Sequence, residues 1–249
     1  MTDATLNREQ FLDRLEQLAE VEHALIVEYL SVSCALGHSL SVEEGGATST
    51  QGQAAASTAA DLAQGEMFHL KDICDALVAA GRTPQLGRAS SIAGASGAPV
   101  PLDPPTADQL RDLITREETI TLAVDGAYAG LAASLTPDLF EDALLAMLQG
   151  VVDVGAAHGE GTARLRAALG DPPPPDFLRV PRRETSDSFE QGLLRVSDLA
   201  YRLVTSALRE QFAQPDAFGF RSLATTAMDT LDASNRALAQ RGLLPPFTL

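Results

Sequence analysis

The strongest constraint on the fold is the recurrence of apolar residues at spacings of three and four, which is typical of one buried face of an α-helix. Six segments carry this pattern, and strand-like alternation is absent from the sequence. The predicted helices run from about Asn7 to Leu36, Ala59 to Ala80, Thr106 or Asp108 to Leu131, Thr136 to Leu169, Ser188 to Phe212, and Phe218 to Gln240.

Glycine and proline mark the predicted ends of these helices. Gly37 is expected to stop the first helix, and residues 38–58, rich in Gly, Ser, Thr and Ala, are expected to form a mobile linker. Gly81 is expected to end the second helix. The following Pro/Gly/Ser/Ala stretch, 82–105, is unusually long for a compact domain, and a bundle with a crossover connection needs such a segment.

The pattern therefore predicts an all-α fold. Four helices would form a bundle with a long crossover between the second and the third, and two extra C-terminal helices would follow. We expect a single domain over residues 1–249, with the bundle at about 7–170 and the C-terminal extension at about 185–249.

Five ionisable residues interrupt the apolar faces of the first four helices. A buried carboxylate costs several kcal/mol unless it is paired, protonated or bound to a metal. Because the five lie near the middle of four different helices, they predict one metal-binding cleft. The expected ligands are Glu22, Glu66, His69, Glu117 and His158.

Plainer interpretations of these residues remain open. Glu66 and His69 could be a surface pair, since residues three apart share a helix face. Glu22 could be an ordinary solvated charge, because Glu20 and Glu28 lie nearby. His158 could be a hydrogen-bonded core histidine.

Three residues near the expected ligands, Glu118, His23 and Tyr29, also need an assignment. Glu117 and Glu118 compete for the inner position of the third helix, and the apolar stripe favours Glu117. His23 points away from Glu22 and is read as a non-ligand. Tyr29, seven residues after Glu22 on the same face, is a candidate hydrogen-bond partner for a ligand, although core packing explains it equally well.

Several segments resemble a known family. AEVEHALIVEYL at 19–30 looks like the first helix of ferritin-like proteins. GEMFHL at 65–70 and LVAAGRTP at 77–84 resemble the "EEM-x-HL … LL-x-A-x-GG-x-P" signature of the ferritin-like domain in the iminophenyl-pyruvate dimer synthases of bisindole biosynthesis. LITRE at 113–117 resembles the "FLRIE" segment of that domain.

The resemblance implies a ferritin-like, non-haem iron oxidoreductase that acts on a small organic metabolite with O₂. Glu22, Glu66 and Glu117 are the expected catalytic carboxylates. A carboxylate di-iron bundle takes a Glu from each of two helices and E-x-x-H from each of the other two. Here Gly155 stands where the second E-x-x-H would have its Glu, so one iron or two are both open.

Two other functions remain as alternatives. The bundle could have a degraded metal site and use buried carboxylates for acid/base catalysis, such as a cyclisation or an isomerisation. It could also be a non-enzymatic metal-binding protein.

The net charge and the cysteines limit the expected binding partners and cellular location. Lys and Arg number 18 against 34 Asp and Glu, a net charge of −16, which disfavours nucleic acid and anionic membranes as partners. The two cysteines, Cys34 and Cys74, form no disulfide framework, and residues 1–10 are polar, so a cytoplasmic location is expected. The oligomeric state is open, with a homodimer as one option.

Overall fold

The computed structural model describes residues 6–42, 48–89, 113–155, 158–170, 182–214 and 219–248, although the side chains at 37–42, 48–51, 113–122, 154–155 and 158 lie outside the description. The helices in these ranges are α1 Arg8–Val42, α2 Thr48–Ala79, α3 Leu113–Ser134, α4 Asp142–Gly155, α5 His158–Leu169, α6 Ser188–Ala213 and α7 Phe220–Gln240.

This helical content confirms the all-α prediction. Across the described ranges, the one pairing of extended chain is an isolated bridge between Arg182 and Leu243. None of the helices in those ranges is long and apolar enough to cross a membrane.

Among the described helices, α1 and α2 share the most extensive packing contact, and the two helices run antiparallel. At one end, Arg82 follows α2 and makes 2.6 Å ion pairs with Glu9 and Asp13 near the start of α1. At the other end, the Ser33 hydroxyl donates to the carbonyl of Ala56 at 2.9 Å. Residues near the middle of α1 and the middle of α2 are therefore held face to face.

The predicted break at Gly37 is wrong, because α1 continues through it to Val42. The predicted linker 38–58 is wrong for the same reason, since α2 already begins at Thr48. Glycine inside a helix costs only about 1 kcal/mol relative to alanine, which packing can offset. The alanine-rich start of α2 is packed in this way, with Ala55 and Ala59 fully buried in the core.

Other helix ends follow the sequence closely. Gly81 has a left-handed backbone (φ 84°), and the Arg82 amide donates to the Leu77 carbonyl at 2.9 Å, which ends α2. Asp187 caps α6 by accepting from the Glu190 amide at 2.9 Å. The predicted fourth helix corresponds to α4 and α5 on either side of residues 156–157, and the caps expected at 106 and 108 lie outside the described residues.

The main core lies between α1 and α2 and is closed by α3, α4 and α5. Burial of each large apolar side chain contributes about 1.5–3 kcal/mol. The largest fully buried side chains are Phe11, Leu12, Leu15, Leu25, Leu36, Ile73, Leu77, Leu86 and Tyr128.

The two C-terminal helices pair with each other, and α7 packs on α1. A second buried cluster seals this contact and includes Val27, Tyr201, Leu231 and Phe247. The Arg88 guanidinium donates to the Phe247 carbonyl at 2.7 Å, which ties the C-terminal tail to the loop after α2. The predicted extra C-terminal helices are therefore present, whereas a single domain over 1–249 stays a prediction.

Replacing Ile73 with alanine should lower the free energy of unfolding by about 2–5 kcal/mol, because the fully buried side chain would leave a cavity between α1 and α2. Leu199→Ala is the matched control: Leu199 is 63% exposed on α6, and its removal should change stability by no more than about 0.5 kcal/mol. Urea unfolding of both variants measures the difference, and equal losses would contradict the packing described here.

Candidate metal centre

Three of the five sequence-predicted ligands meet between α1 and α2. Glu22 lies near the middle of α1 and is 0% exposed, while Glu66 lies on α2 and is 3% exposed. His69 follows Glu66 by three residues, so both side chains share one face of α2. The surface-pair and solvated-charge interpretations of these residues are excluded by this burial.

Each of these three residues offers one ligand atom, and the three atoms lie within 4.8 Å of one another. His69 Nδ1 is 2.8 Å from Glu66 Oε2 and 3.6 Å from Glu22 Oε2. Ligand atoms about 2.1 Å from one ion are about 3.0 Å apart at a right angle and about 3.4 Å apart at a tetrahedral angle. The two distances from His69 Nδ1 are close to those expected around a single divalent cation, and a donor set of two carboxylates and an imidazole suits iron, manganese or zinc.

The electrostatics of His69 reflect the same arrangement. Burial is the largest single influence and lowers the pKa of His69, but the contacts and negative charges of Glu22 and Glu66 outweigh it and raise this pKa to about 9. The imidazole is therefore protonated at neutral pH in the metal-free protein, and its positive charge partly neutralises the two carboxylates. A metal ion bound at Nδ1 must displace that proton.

Tyr128 on α3 also contacts Glu22. Its hydroxyl donates to Glu22 Oε1 at 2.6 Å, and the residue is fully buried. The sequence made Tyr29 a candidate hydrogen-bond partner for a ligand. Tyr29 is buried on α1, but the described hydrogen bond to Glu22 comes from Tyr128. The signal for Tyr128 was its place on the apolar face of the third helix.

The other two predicted ligands lie in the second half of the bundle. Glu117 lies on α3 and His158 is the first residue of α5, but both side chains are outside the described residues. The choice between Glu117 and Glu118 falls outside the described side chains as well. Convergence of all five side chains on one cavity stays a prediction.

His23 does not join the cluster, in agreement with its assignment as a non-ligand. Its Nδ1 lies 2.8 Å from the Gly87 carbonyl, and its Nε2 lies 2.7 Å from the Tyr201 hydroxyl. Because a carbonyl can only accept, Nδ1 carries the proton and Nε2 accepts from Tyr201. Burial is the main cause that lowers the pKa of His23, which keeps the ring neutral.

The comparison with known families agrees with this geometry. A family model described as Ferritin-like matches residues 15–120, a segment that contains Glu22, Glu66 and His69. Over these residues the chain is similar to ferritin-like domains, and its all-α bundle is consistent with that similarity. Ferritin-like domains include di-iron enzymes and metal binders, and the buried Glu22–Glu66–His69 group could hold a metal ion. No curated protein and no solved structure matches the chain, so the resemblance to iminophenyl-pyruvate dimer synthases stays an expectation from the sequence.

The raised pKa of His69 predicts a pH dependence of stability in the metal-free protein. A folded-state pKa of about 9, above the ordinary value of 6.5, means that the His69 contribution is complete below pH 6.5 and is lost as the pH rises toward 9. His23 has the opposite shift, so its effect falls below pH 6.5 and leaves this window undisturbed.

The measurement is urea unfolding of chelator-treated protein at pH 6.5 and pH 9. The stability difference between wild type and His69→Gln should shrink from the lower pH to the higher. A difference that stays constant across the window would contradict the assignment of a charged His69 to the metal-free state.

Proposed function

We propose that this ferritin-like protein binds iron through Glu22, Glu66 and His69 and acts as a non-haem iron oxidoreductase on a small organic metabolite. The observation that carries the proposal is the convergence of three ligand atoms, from two helices, in a buried position. Carboxylates and an imidazole without cysteine form a donor set that suits ferrous iron.

Bound iron would supply one-electron redox chemistry with O₂. The chain itself contributes the rest of the environment. The negative charges of Glu22 and Glu66 compensate a divalent cation, and His69 binds after releasing its proton. Burial of the two carboxylates keeps bulk water away, which favours oxidation over hydrolysis of a small substrate.

Glu117 and His158 are proposed as further ligands in the second half of the bundle. That half lacks the carboxylate expected at 155, where α4 ends in glycine. Two cations a few ångströms apart repel strongly unless bridging carboxylates offset the repulsion. We therefore expect at most about one tightly held iron per chain.

A second candidate function is acid/base catalysis without a metal. The specific observation that favours it is the position of His69 between two carboxylates, because an imidazolium in that position can act as a proton donor. A cyclisation or an isomerisation needs such a group near its substrate. A metal-binding protein without turnover would share the iron site and differ only in lacking a substrate reaction.

Anaerobic loading with ferrous iron tests the leading proposal. We expect about one iron per chain in the wild type, and at least about tenfold weaker binding in Glu66→Gln, which loses a charged ligand from the buried group. Asp72→Asn is the matched control, since Asp72 lies on the same helix but is exposed. Elemental analysis after gel filtration gives the stoichiometry, and a wild type that retains no iron would favour the acid/base alternative.

Gly155→Glu should restore the second E-x-x-H pair with His158 and raise the stoichiometry toward two irons per chain. The variant should also lose the cost of a helical glycine, on the order of 0.5–1 kcal/mol, although an extra carboxylate opposes this gain in the absence of metal. Iron content and optical spectra after O₂ addition provide the readout. Two tightly bound irons in the wild type would show that another residue occupies the gap at Gly155.

A further inference from the structure

We propose that Tyr128 is a positioning residue that makes Glu22 a ligand through one oxygen. The phenol would hold Oε1 so that Oε2 is the atom presented to the metal. This inference rests on the proposed iron site of Glu22, Glu66 and His69, and it specifies how one of those ligands binds.

The two oxygens of Glu22 face different partners. Oε1 accepts the hydrogen bond from the Tyr128 hydroxyl at 2.6 Å, whereas Oε2 is the oxygen 3.6 Å from His69 Nδ1. A hydrogen bond to a carboxylate is charge-assisted and draws electron density toward the donor. Oε1 is therefore the weaker ligand atom of the pair, and the cation at the centre is drawn to Oε2.

The surroundings of Tyr128 fix this hydrogen bond in place. Tyr128 is fully buried, and Val124 and Leu131, one turn away on either side of it on α3, are buried as well. Close packing leaves the ring no alternative rotamer without displacing its neighbours. An ionised carboxylate oxygen can only accept, so the hydrogen bond runs from the Tyr128 hydroxyl to Glu22 Oε1.

A carboxylate restricted to one oxygen cannot chelate one cation, and it cannot bridge two cations through both of its oxygens. Glu22 would then be a terminal ligand, and bridging through two oxygens would be left to Glu66. Tyr128 thus favours a one-metal centre from the side of α3, independently of the missing carboxylate at Gly155. Its influence passes entirely through the orientation of Glu22.

Cobalt(II) is a suitable probe, because the intensity of its visible bands falls as the coordination number rises. Tyr128→Phe removes only the hydroxyl and should raise the cobalt dissociation constant about tenfold or more, the usual effect of losing a partner that orients a ligand. Its visible bands should weaken, since Glu22 is then able to bind through both oxygens. Tyr201→Phe is the matched control: it removes a buried hydroxyl bonded to His23 and should leave affinity and spectrum unchanged.

Unchanged cobalt affinity and spectrum in Tyr128→Phe would overturn the inference, and so would equal changes in the two tyrosine variants. Crystal structures of metal-free wild type and Tyr128→Phe supply a readout that does not require metal. We expect the Glu22 carboxylate to rotate or become disordered only in the variant. An unmoved carboxylate in Tyr128→Phe would overturn the inference. A wild type that binds no cobalt would refute the metal site, while these metal-free structures would still decide the role of Tyr128.

Discussion

The antiparallel packing of α1 on α2 is the interaction on which the rest of the structure depends. It places two carboxylates and an imidazole close together, with the carboxylates buried away from solvating water. A proton on His69 or a bound cation supplies positive charge that compensates the two carboxylates. The helix packing that stabilises the bundle therefore also buries the carboxylates that a cation would stabilise. The fold and the proposed chemistry both depend on this packing.

Two histidines on neighbouring helices show how strongly the surroundings decide the chemistry. His69 meets carboxylates and becomes more basic, whereas His23 meets a carbonyl and a phenol and stays neutral. His23 is adjacent to Glu22 in sequence, yet the two side chains leave α1 on different faces. One links α1 to the candidate metal centre, and the other links it to the C-terminal extension.

The sequence predicted what depends on local periodicity. The apolar stripes gave the helices, and the charges within them gave the buried group of Glu22, Glu66 and His69. The break at Gly37 was wrong because the cost of one glycine is smaller than the packing gained by a longer helix. Two buried polar features were missed, the Tyr128 hydrogen bond and the burial of Glu28, since both depend on how distant helices pair rather than on spacing along one helix.

Helix α1 has no exposed residue from Leu18 to Leu36, because α2 and α3 cover part of its circumference and α7 covers another part. A helix that is enclosed on all sides cannot open its backbone while its neighbours remain in place. Its amides should therefore exchange with solvent only when the helices that cover it separate from it. The slowest-exchanging segment of the protein should then be the one that carries Glu22, so the ligand position is also the last part of the native structure to be lost.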